Sequence, residues 1–201
     1  MKMAYTNKTF EEIDIWLKEN LNNERYIHSL GTMECAVELA KMFNLDEAKA
    51  KTAGLLHDCA KCFSNEKLLN IIEEKIKTVE KSELMNYKTL HAPVSAYIAK
   101  EDFNVVDDEI LSAIRWHTLG RVEMSDFEKI IFLADKIEPN TRPREYREDI
   151  LQILKQDNGL DKALLKCFSE TIKSLVKRKL AICHITIDVY NELLNCNKLE
   201  F

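Results

Sequence analysis

Six residues of types that bind metal ions are spread over five segments of this chain. The segment GLLHDCAK at 54–61 places His57 next to Asp58 within an apolar helical stretch. An aspartate is rarely buried unless a positive group or a hydrogen-bond donor compensates its charge. Imidazole and carboxylate groups together suit divalent iron, manganese, cobalt, nickel or zinc. The remaining members of the set are His28, His91, His117 and Asp135.

Helical periodicity directs two of these residues toward the interior of the protein. Asp135 follows the apolar run IIFLA at 130–134, and His117 comes three residues after Ile114. A single histidine at such a position is more often a hydrogen-bonded core residue than a ligand, whereas a buried carboxylate is costly without compensation. Four such residues from three helices of a bundle could enclose one divalent ion. The other two histidines could hold a second ion or contact a phosphate group.

The composition favours one all-α domain over residues 1–201. Four Gly and three Pro are too few for a many-turned β fold. The net charge of −5 argues against a general nucleic-acid partner, which needs a basic face. The chain shows neither a signal peptide nor a membrane-spanning apolar run, so we expect a cytoplasmic protein with no membrane partner. The six cysteines are then expected to be thiols, because CAKC at 59–62 has no second pair to complete a structural zinc site.

Capping signals and apolar periodicity predict helices and no important sheet. Two capping boxes, TFEE at 9–12 and SDFE at 125–128, each begin a helix. Further N-caps are expected at Asp46, Ser64 and Asp107. Other helices are predicted at about 23–43, from Asp46 to about 60, at about 91–103, about 160–180 and about 185–195. The segment PNTRPREY at 139–146 is expected to be a loop.

Five segments in a fixed order resemble the HD-domain superfamily of metal-dependent phosphohydrolases and, within it, the bacterial YqeK-like family. These segments are RYIHSLGT (25–32), GLLHDCAK (54–61), HAPVSAYIA (91–99), AIRWHTLGR (113–121) and EKIIFLADKIEPNTR (128–142). An HD dipeptide alone is common, whereas five motifs in this order with these flanks are specific. The resemblance covers most of residues 25–142, and the C-terminal helices at about 147–196 add little to it.

The resemblance implies an all-helical fold, a single HD-domain bundle. It also implies a hydrolase that cleaves diadenosine tetraphosphate symmetrically and releases two ADP. The cofactor would be a divalent metal ion, with iron the metal described for the family and manganese, cobalt, nickel or zinc as alternatives. The partners would be a small dinucleoside polyphosphate substrate, ADP or GDP as product, and a second copy of the chain in a homodimer.

The same resemblance assigns roles to individual residues. His28, His57, Asp58 and Asp135 match the metal ligands. His91 and His117 match later histidines that hold a second metal in some HD enzymes and would more readily face the phosphates here. Lys61, one helical turn after Asp58, could reach a phosphate oxygen. The nucleotide-lining stretch corresponds to Lys136, Ile137, Glu138, Pro139, Asn140 and Thr141.

Arginine residues near these motifs are candidates for phosphate binding, because a guanidinium group binds phosphate in a bidentate manner. Arg121 and Arg142 are candidates of this kind. Arg25 lies three residues before His28 and could point the same way or cap its helix. Arg144 and Arg147 are interpreted instead as solvated surface residues.

Three other interpretations remain open at this point. Another HD-type phosphohydrolase would act on a nucleoside triphosphate, an alarmone or a cyclic nucleotide. A non-catalytic sensor would keep the fold and bind ADP or GDP. A helical scaffold would satisfy Asp58 and Asp135 with hydrogen bonds alone. The presence of all six ligand-type residues favours the enzyme, because a degenerate binder would tend to lose one of them.

Overall fold

A computed structural model describes residues 2–196, which form ten α-helices and two short 3-10 helices. The α-helices are α1 Phe10–Asn20, α2 Asn23–Met42, α3 Glu47–Leu56, α4 Asn65–Lys75, α5 His91–Glu101, α6 Asp108–Trp116, α7 Asp126–Ile137, α8 Arg144–Ile153, α9 Gly159–Lys177 and α10 His184–Cys196. The 3-10 helices span Glu83–Met85 and Tyr87–Thr89. Apart from one isolated bridge between Lys2 and Thr9, residues 2–196 contain no β-structure. The predicted all-α fold is confirmed.

The predicted N-caps are confirmed where the sequence placed them. Thr9 and Ser125 each form a full capping box with the glutamate three residues later. The side chains of Asp46, Ser64 and Asp107 accept hydrogen bonds from backbone N–H groups in the first turns of α3, α4 and α6. Each cap satisfies donors that the helix itself leaves unpaired.

The predicted extent of α3 was wrong, and the difference shapes the site. The helix ends at Leu56 rather than near residue 60, and residues 57–62 form turns. In these turns the backbone N–H of Lys61 bonds to the carbonyl of Asp58, while the N–H of Ala60 bonds to the Ser95 hydroxyl. Because Ser95 takes a donor that would otherwise continue the helix, the chain turns at the His57–Asp58 pair.

The second difference lies at PNTRPREY, where only the first part is a loop. The helix α8 begins at Arg144, with Pro143 as its N-cap residue. A proline at a helix start is favourable because its fixed φ suits the first turn and its missing N–H would be unpaired there anyway. Ile150 on α8 is fully buried, which anchors this helix to the core.

The core brings α2, α3 and α7 into close contact. Gly54 on α3 approaches α2 so closely that an added Cβ would lie 2.8 Å from the Cα of Met33. On the other side of the core, Phe132 of α7 stacks on Phe168 of α9 with ring centroids 4.9 Å apart. The tight contact between α2 and α3 holds His28 of α2 and His57, which follows α3, at a fixed separation.

Within residues 2–196, every helix is too short or too polar to cross a membrane.

Candidate metal centre

All six candidate ligands lie at one place in the interior of the bundle. His28 is on α2, and His57 and Asp58 follow the end of α3. His91 is the first residue of α5, His117 follows the end of α6, and Asp135 is on α7. None of the six is more than 5% exposed. Five helices therefore direct imidazole and carboxylate groups to a single buried cluster.

The first group within this cluster consists of His28, His57, Asp58 and Asp135. His28 Nε2 lies 3.3 Å from His57 Nε2 and 2.9 Å from Asp135 Oδ1. Asp58 Oδ2 lies 3.8 Å from the Nε2 atom of each of these histidines. Ligands about 2.1 Å from an ion stand about 3.0 Å apart at right angles and about 4.2 Å apart when opposite. The separations among His28, His57 and Asp58 therefore fit one divalent ion, and Asp135 lies beside them in contact with His28.

The second group is Asp58, His91 and His117, so Asp58 belongs to both groups. Its Oδ1 atom lies 2.9 Å from His91 Nε2 and 3.4 Å from His117 Nε2, and these two nitrogens are 3.1 Å apart. The three side chains have the spacing of a metal-ligand set. Asp58 thus turns one oxygen toward each group, which is the arrangement of a bridging carboxylate.

Backbone and side-chain partners fix the orientation of three of the four histidines. The Nδ1–H groups of His57 and His117 donate to the carbonyls of Gly54 and Ile114, each at 2.7 Å. His28 Nδ1 lies 3.0 Å from Glu138 Oε1. When Nδ1 is the donor, the lone pair of Nε2 is free for a metal ion. In all three residues that nitrogen points into the cluster.

Asp58 also carries the clearest sign of a missing partner. Both of its carboxylate oxygens are buried, and although Oδ1 lies 2.9 Å from His91 Nε2, neither oxygen has a partner with hydrogen-bond geometry among residues 2–196. A buried carboxylate without such partners is costly unless a cation compensates it. The donor set and the unsatisfied oxygens together fit a bound divalent cation.

The charges around the cluster keep Asp135, His57 and His91 in forms that bind cations. Burial alone would raise the pKa of Asp135, but the ammonium of Lys136, the contact with the His28 imidazole and the guanidinium of Arg142 hold that pKa well below its usual range. Burial lowers the pKa of His57 to about 3 and that of His91 to about 4. At neutral pH these residues are therefore a carboxylate and two neutral imidazoles. For His28, burial alone would lower the pKa, but the carboxylates of Asp135, Asp58 and Glu138 outweigh burial and raise it.

Four cationic side chains line the opening of the cluster. Arg25 Nη1 lies 3.7 Å from Asp58 Oδ2, and Lys61 Nζ lies 3.1 Å from His91 Nε2. Lys136 and Arg142 donate to Asp135 at 2.6 and 2.8 Å. These side chains are 25–31% exposed, so they contact both the cluster and solvent. All four line one cavity of about 400 Å³, here called the first cavity, which also contacts α9 and the segment before α10.

The other candidates for nucleotide binding are placed differently. Ile137 is fully buried in the core. Pro139, Asn140 and Thr141 lie in the exposed turn between α7 and α8. Arg121 donates to the buried carboxylate of Glu128 at 2.7 Å and lines a small separate cavity beside α9 and α10. The structure therefore brings Lys136 and Arg142 to the cluster but gives Ile137 and Arg121 other contacts.

Glu138 has a position that its assignment to the nucleotide-lining stretch did not indicate. Its carboxylate is fully buried behind His28 and accepts hydrogen bonds from the backbone N–H groups of Asn140 and Thr141 at 2.6 and 3.0 Å. Gly31 on α2 leaves room for this carboxylate, since a Cβ there would collide with it. Glu138 therefore orients a candidate ligand. A glutamate directly after an apolar helix, where burial is expected, was the available signal.

The interpretation of the two later arginines was half right. Arg144 is 89% exposed, as expected for a solvated surface residue. Arg147 is only 16% exposed, and its guanidinium donates to the carbonyl of Ile137 at 2.7 Å and to Cys35 Sγ at 3.3 Å. The interpretation of Arg147 was wrong because α8 turns it inward against the end of α7, where a carbonyl needs a donor.

Comparison with known proteins identifies the family. The HD domain family model matches residues 25–140. The chain is 39% identical over 180 residues to a protein of Halalkalibacterium halodurans named bis(5'-nucleosyl)-tetraphosphatase, symmetrical, covering 89% of this chain and 93% of that protein. A Bacillus subtilis protein of the same name is 36% identical, covering 92% and 97% of the two chains.

A solved structure agrees with this result. The protein is a predicted HD superfamily hydrolase involved in NAD metabolism from Clostridium acetobutylicum, and its crystal structure matches with a TM-score of 0.87 and 37% identity. The match covers 94% of this chain and 98% of that one. The ordered motifs, the helical bundle with its buried His–Asp cluster and these comparisons agree: the chain belongs to the HD domain family.

Proposed function

We propose that this chain is a metal-dependent hydrolase that cleaves diadenosine tetraphosphate symmetrically into two ADP. The observation that carries the proposal is the buried His–Asp cluster opening directly onto four cationic side chains. The relatives from Halalkalibacterium halodurans and Bacillus subtilis, which bear the name of this activity, support it over nearly the whole chain.

The proposed metal ligands are His28, His57, Asp58 and Asp135, and the proposed metal is iron. A bound divalent ion lowers the pKa of a water molecule and polarises a phosphoryl oxygen, which are the two requirements of phosphoanhydride hydrolysis. His91 and His117 share Asp58 with this group. They either take a second ion or face the phosphates of the substrate.

The cationic residues at the opening receive the polyphosphate. Arg25, Lys61, Lys136 and Arg142 offset the negative charge of a substrate that has to approach buried carboxylates. Lys61 Nζ is close to both His91 and Asp58 Oδ1, the latter at 3.7 Å, so a phosphate oxygen bound to Lys61 lies next to the cluster. In this position Lys61 stabilises charge that develops on a phosphate oxygen as the bond breaks.

Symmetry of cleavage follows from the length of substrate that is recognised. If one nucleoside and two phosphates fill the first cavity, the next bond is the central bridge of a tetraphosphate. Addition of water across that bridge gives two identical diphosphates.

The proposed state of the protein is a cytoplasmic homodimer in which the chain forms one domain. Sedimentation equilibrium of the metal-loaded protein measures the oligomeric state, and a monomer at micromolar concentration contradicts the dimer.

Asp58→Ala distinguishes an enzyme from a nucleotide sensor. The proposal predicts that the wild-type protein hydrolyses diadenosine tetraphosphate when loaded with Fe(II), Mn(II) or Zn(II) under anaerobic conditions. Asp58→Ala should lose turnover and retain affinity for ADP, because the cationic side chains remain. A wild-type protein that binds ADP tightly but hydrolyses nothing with any of these metals contradicts the enzyme and favours the sensor.

A further inference from the structure

A second cavity meets the first beside the candidate metal ligands. It has a volume of about 710 Å³ and lies against the start of α4, the second 3-10 helix and His91. The residues that line both cavities are Arg25, Lys61, Met85, Asn86 and Lys88. The two cavities therefore join at the cationic residues that contact Asp58, and the cluster lies at their junction.

The second cavity has an unusual concentration of exposed apolar side chains. Tyr87 is 50% exposed and Leu180 42%, and both line this cavity and not the first. Met85, which is 64% exposed, lines both cavities. Phe63, which is partly buried, lines it as well. Isolated exposed apolar residues are normal on a protein surface, but a cluster in a concave site indicates a ligand with an apolar or aromatic face.

The polar residues of the same cavity indicate that the other end of the ligand is negatively charged. Lys88 adds a third cation to Arg25 and Lys61, so the side toward the cluster favours a polyanion. Asn65 and Asn86 supply amide groups on the cavity wall. A nucleoside phosphate has this combination of features, because its base stacks on aromatic side chains while its phosphates bind cations.

We propose that this second cavity binds the second nucleoside of the dinucleoside tetraphosphate, with Tyr87 and Leu180 as the contacts for its base. This inference rests on the proposed function. The first nucleoside then occupies the first cavity beside Lys136 and Arg142. The tetraphosphate passes Arg25 and Lys61 at the junction. A substrate with a nucleoside at each end would thus have its central bridge beside the metal ligands.

Equilibrium binding tests the second cavity independently of turnover. The probes are ADP and a diadenosine tetraphosphate whose central bridging oxygen is replaced by a methylene group, which the enzyme cannot cleave at that bridge. Titration calorimetry is run on metal-loaded wild type, Tyr87→Ala, Leu180→Ala and Val176→Ala. Val176 is the matched control, because it is an exposed apolar residue on α9, 61% exposed, that does not line the cavity.

The inference predicts that Tyr87→Ala raises the dissociation constant of the methylene analogue about tenfold, which corresponds to the loss of about one base-stacking contact. Leu180→Ala should have a smaller effect in the same direction. The dissociation constant of ADP should stay within about twofold of the wild-type value in both variants. Val176→Ala should leave the dissociation constants of both ADP and the analogue unchanged.

Two results overturn the assignment. Unchanged affinity for the analogue in both variants means that the second cavity does not hold a nucleoside. Equal weakening of ADP and the analogue means that the first nucleoside, rather than the second, binds there. A separate assay of hydrolysis by the wild type tests the proposed function, so loss of turnover and loss of this subsite are distinguishable.

Discussion

Replacing Glu138 with glutamine should weaken metal binding without unfolding the protein. The Oε1 atom of Glu138 lies 3.0 Å from His28 Nδ1, and its Oε2 accepts the backbone N–H of Asn140 at 2.6 Å. Glutamine has nearly the same shape, but its NH2 group replaces an oxygen that accepts a hydrogen bond, and the change removes the negative charge that makes the His28 imidazole a more basic ligand. Loss of such an outer partner typically lowers metal affinity by about 10- to 100-fold, or roughly 1.4–2.7 kcal/mol.

The assay is equilibrium dialysis against chelator-buffered Mn(II) or Zn(II), with metal content measured by mass spectrometry. Glu148→Gln is the matched control, because Glu148 is an exposed acid on α8 whose carboxylate pairs with the exposed Arg144. The thermal midpoint of each metal-free variant reports folding separately. If Glu138→Gln binds metal within about twofold of wild type, the carboxylate does not support His28 and the reasoning is refuted.

Three further predictions concern packing, charge and the phosphate contact. Gly54→Ala should destabilise the fold by about 1–3 kcal/mol in urea unfolding, because the new methyl group meets the backbone of Met33, and an unchanged midpoint would contradict that close approach. Burial raises the pKa of Glu128, but the pairing with Arg121 outweighs burial and lowers the pKa below 4.5. The ionised carboxylate therefore stabilises the fold above about pH 4.5, and this stabilisation is lost as the pH falls below that value. Glu128→Gln should make the free energy of unfolding depend less steeply on pH in the acid range. An equally steep dependence would refute this. Lys61→Met should lower kcat/KM for diadenosine tetraphosphate about 100-fold or more with metal content unchanged. Activity within twofold of wild type would show that Lys61 does not stabilise charge on the phosphate.

Local signals in the sequence were sufficient for the helix starts and for the identity of the candidate ligands. The caps at Thr9, Asp46 and Ser125 depend on side chains that bond within three residues, so their pattern can be recognised without tertiary structure. Asp135 was detectable because a carboxylate in an apolar helical run has a high desolvation cost.

Features that depend on contacts between distant segments could not be obtained in this way. The early end of α3 results from a hydroxyl on α5, since Ser95 takes the N–H of Ala60. The role of Glu138 depends on α2 passing close enough for His28 to reach it, 110 residues away in sequence. The second cavity combines Tyr87 with Leu180, and neither residue belongs to a recognisable motif.

The most direct test of the central claim is the identity of the products. Purified protein is loaded anaerobically with Fe(II), incubated with diadenosine tetraphosphate, and the nucleotides are separated by anion exchange, with His57→Ala as the comparison. The account predicts ADP as the sole product and its loss in His57→Ala, because His57 Nε2 lies within 4 Å of His28, Asp58 and Asp135 at the candidate metal site. ATP together with AMP, or ADP formed equally by His57→Ala, would contradict it.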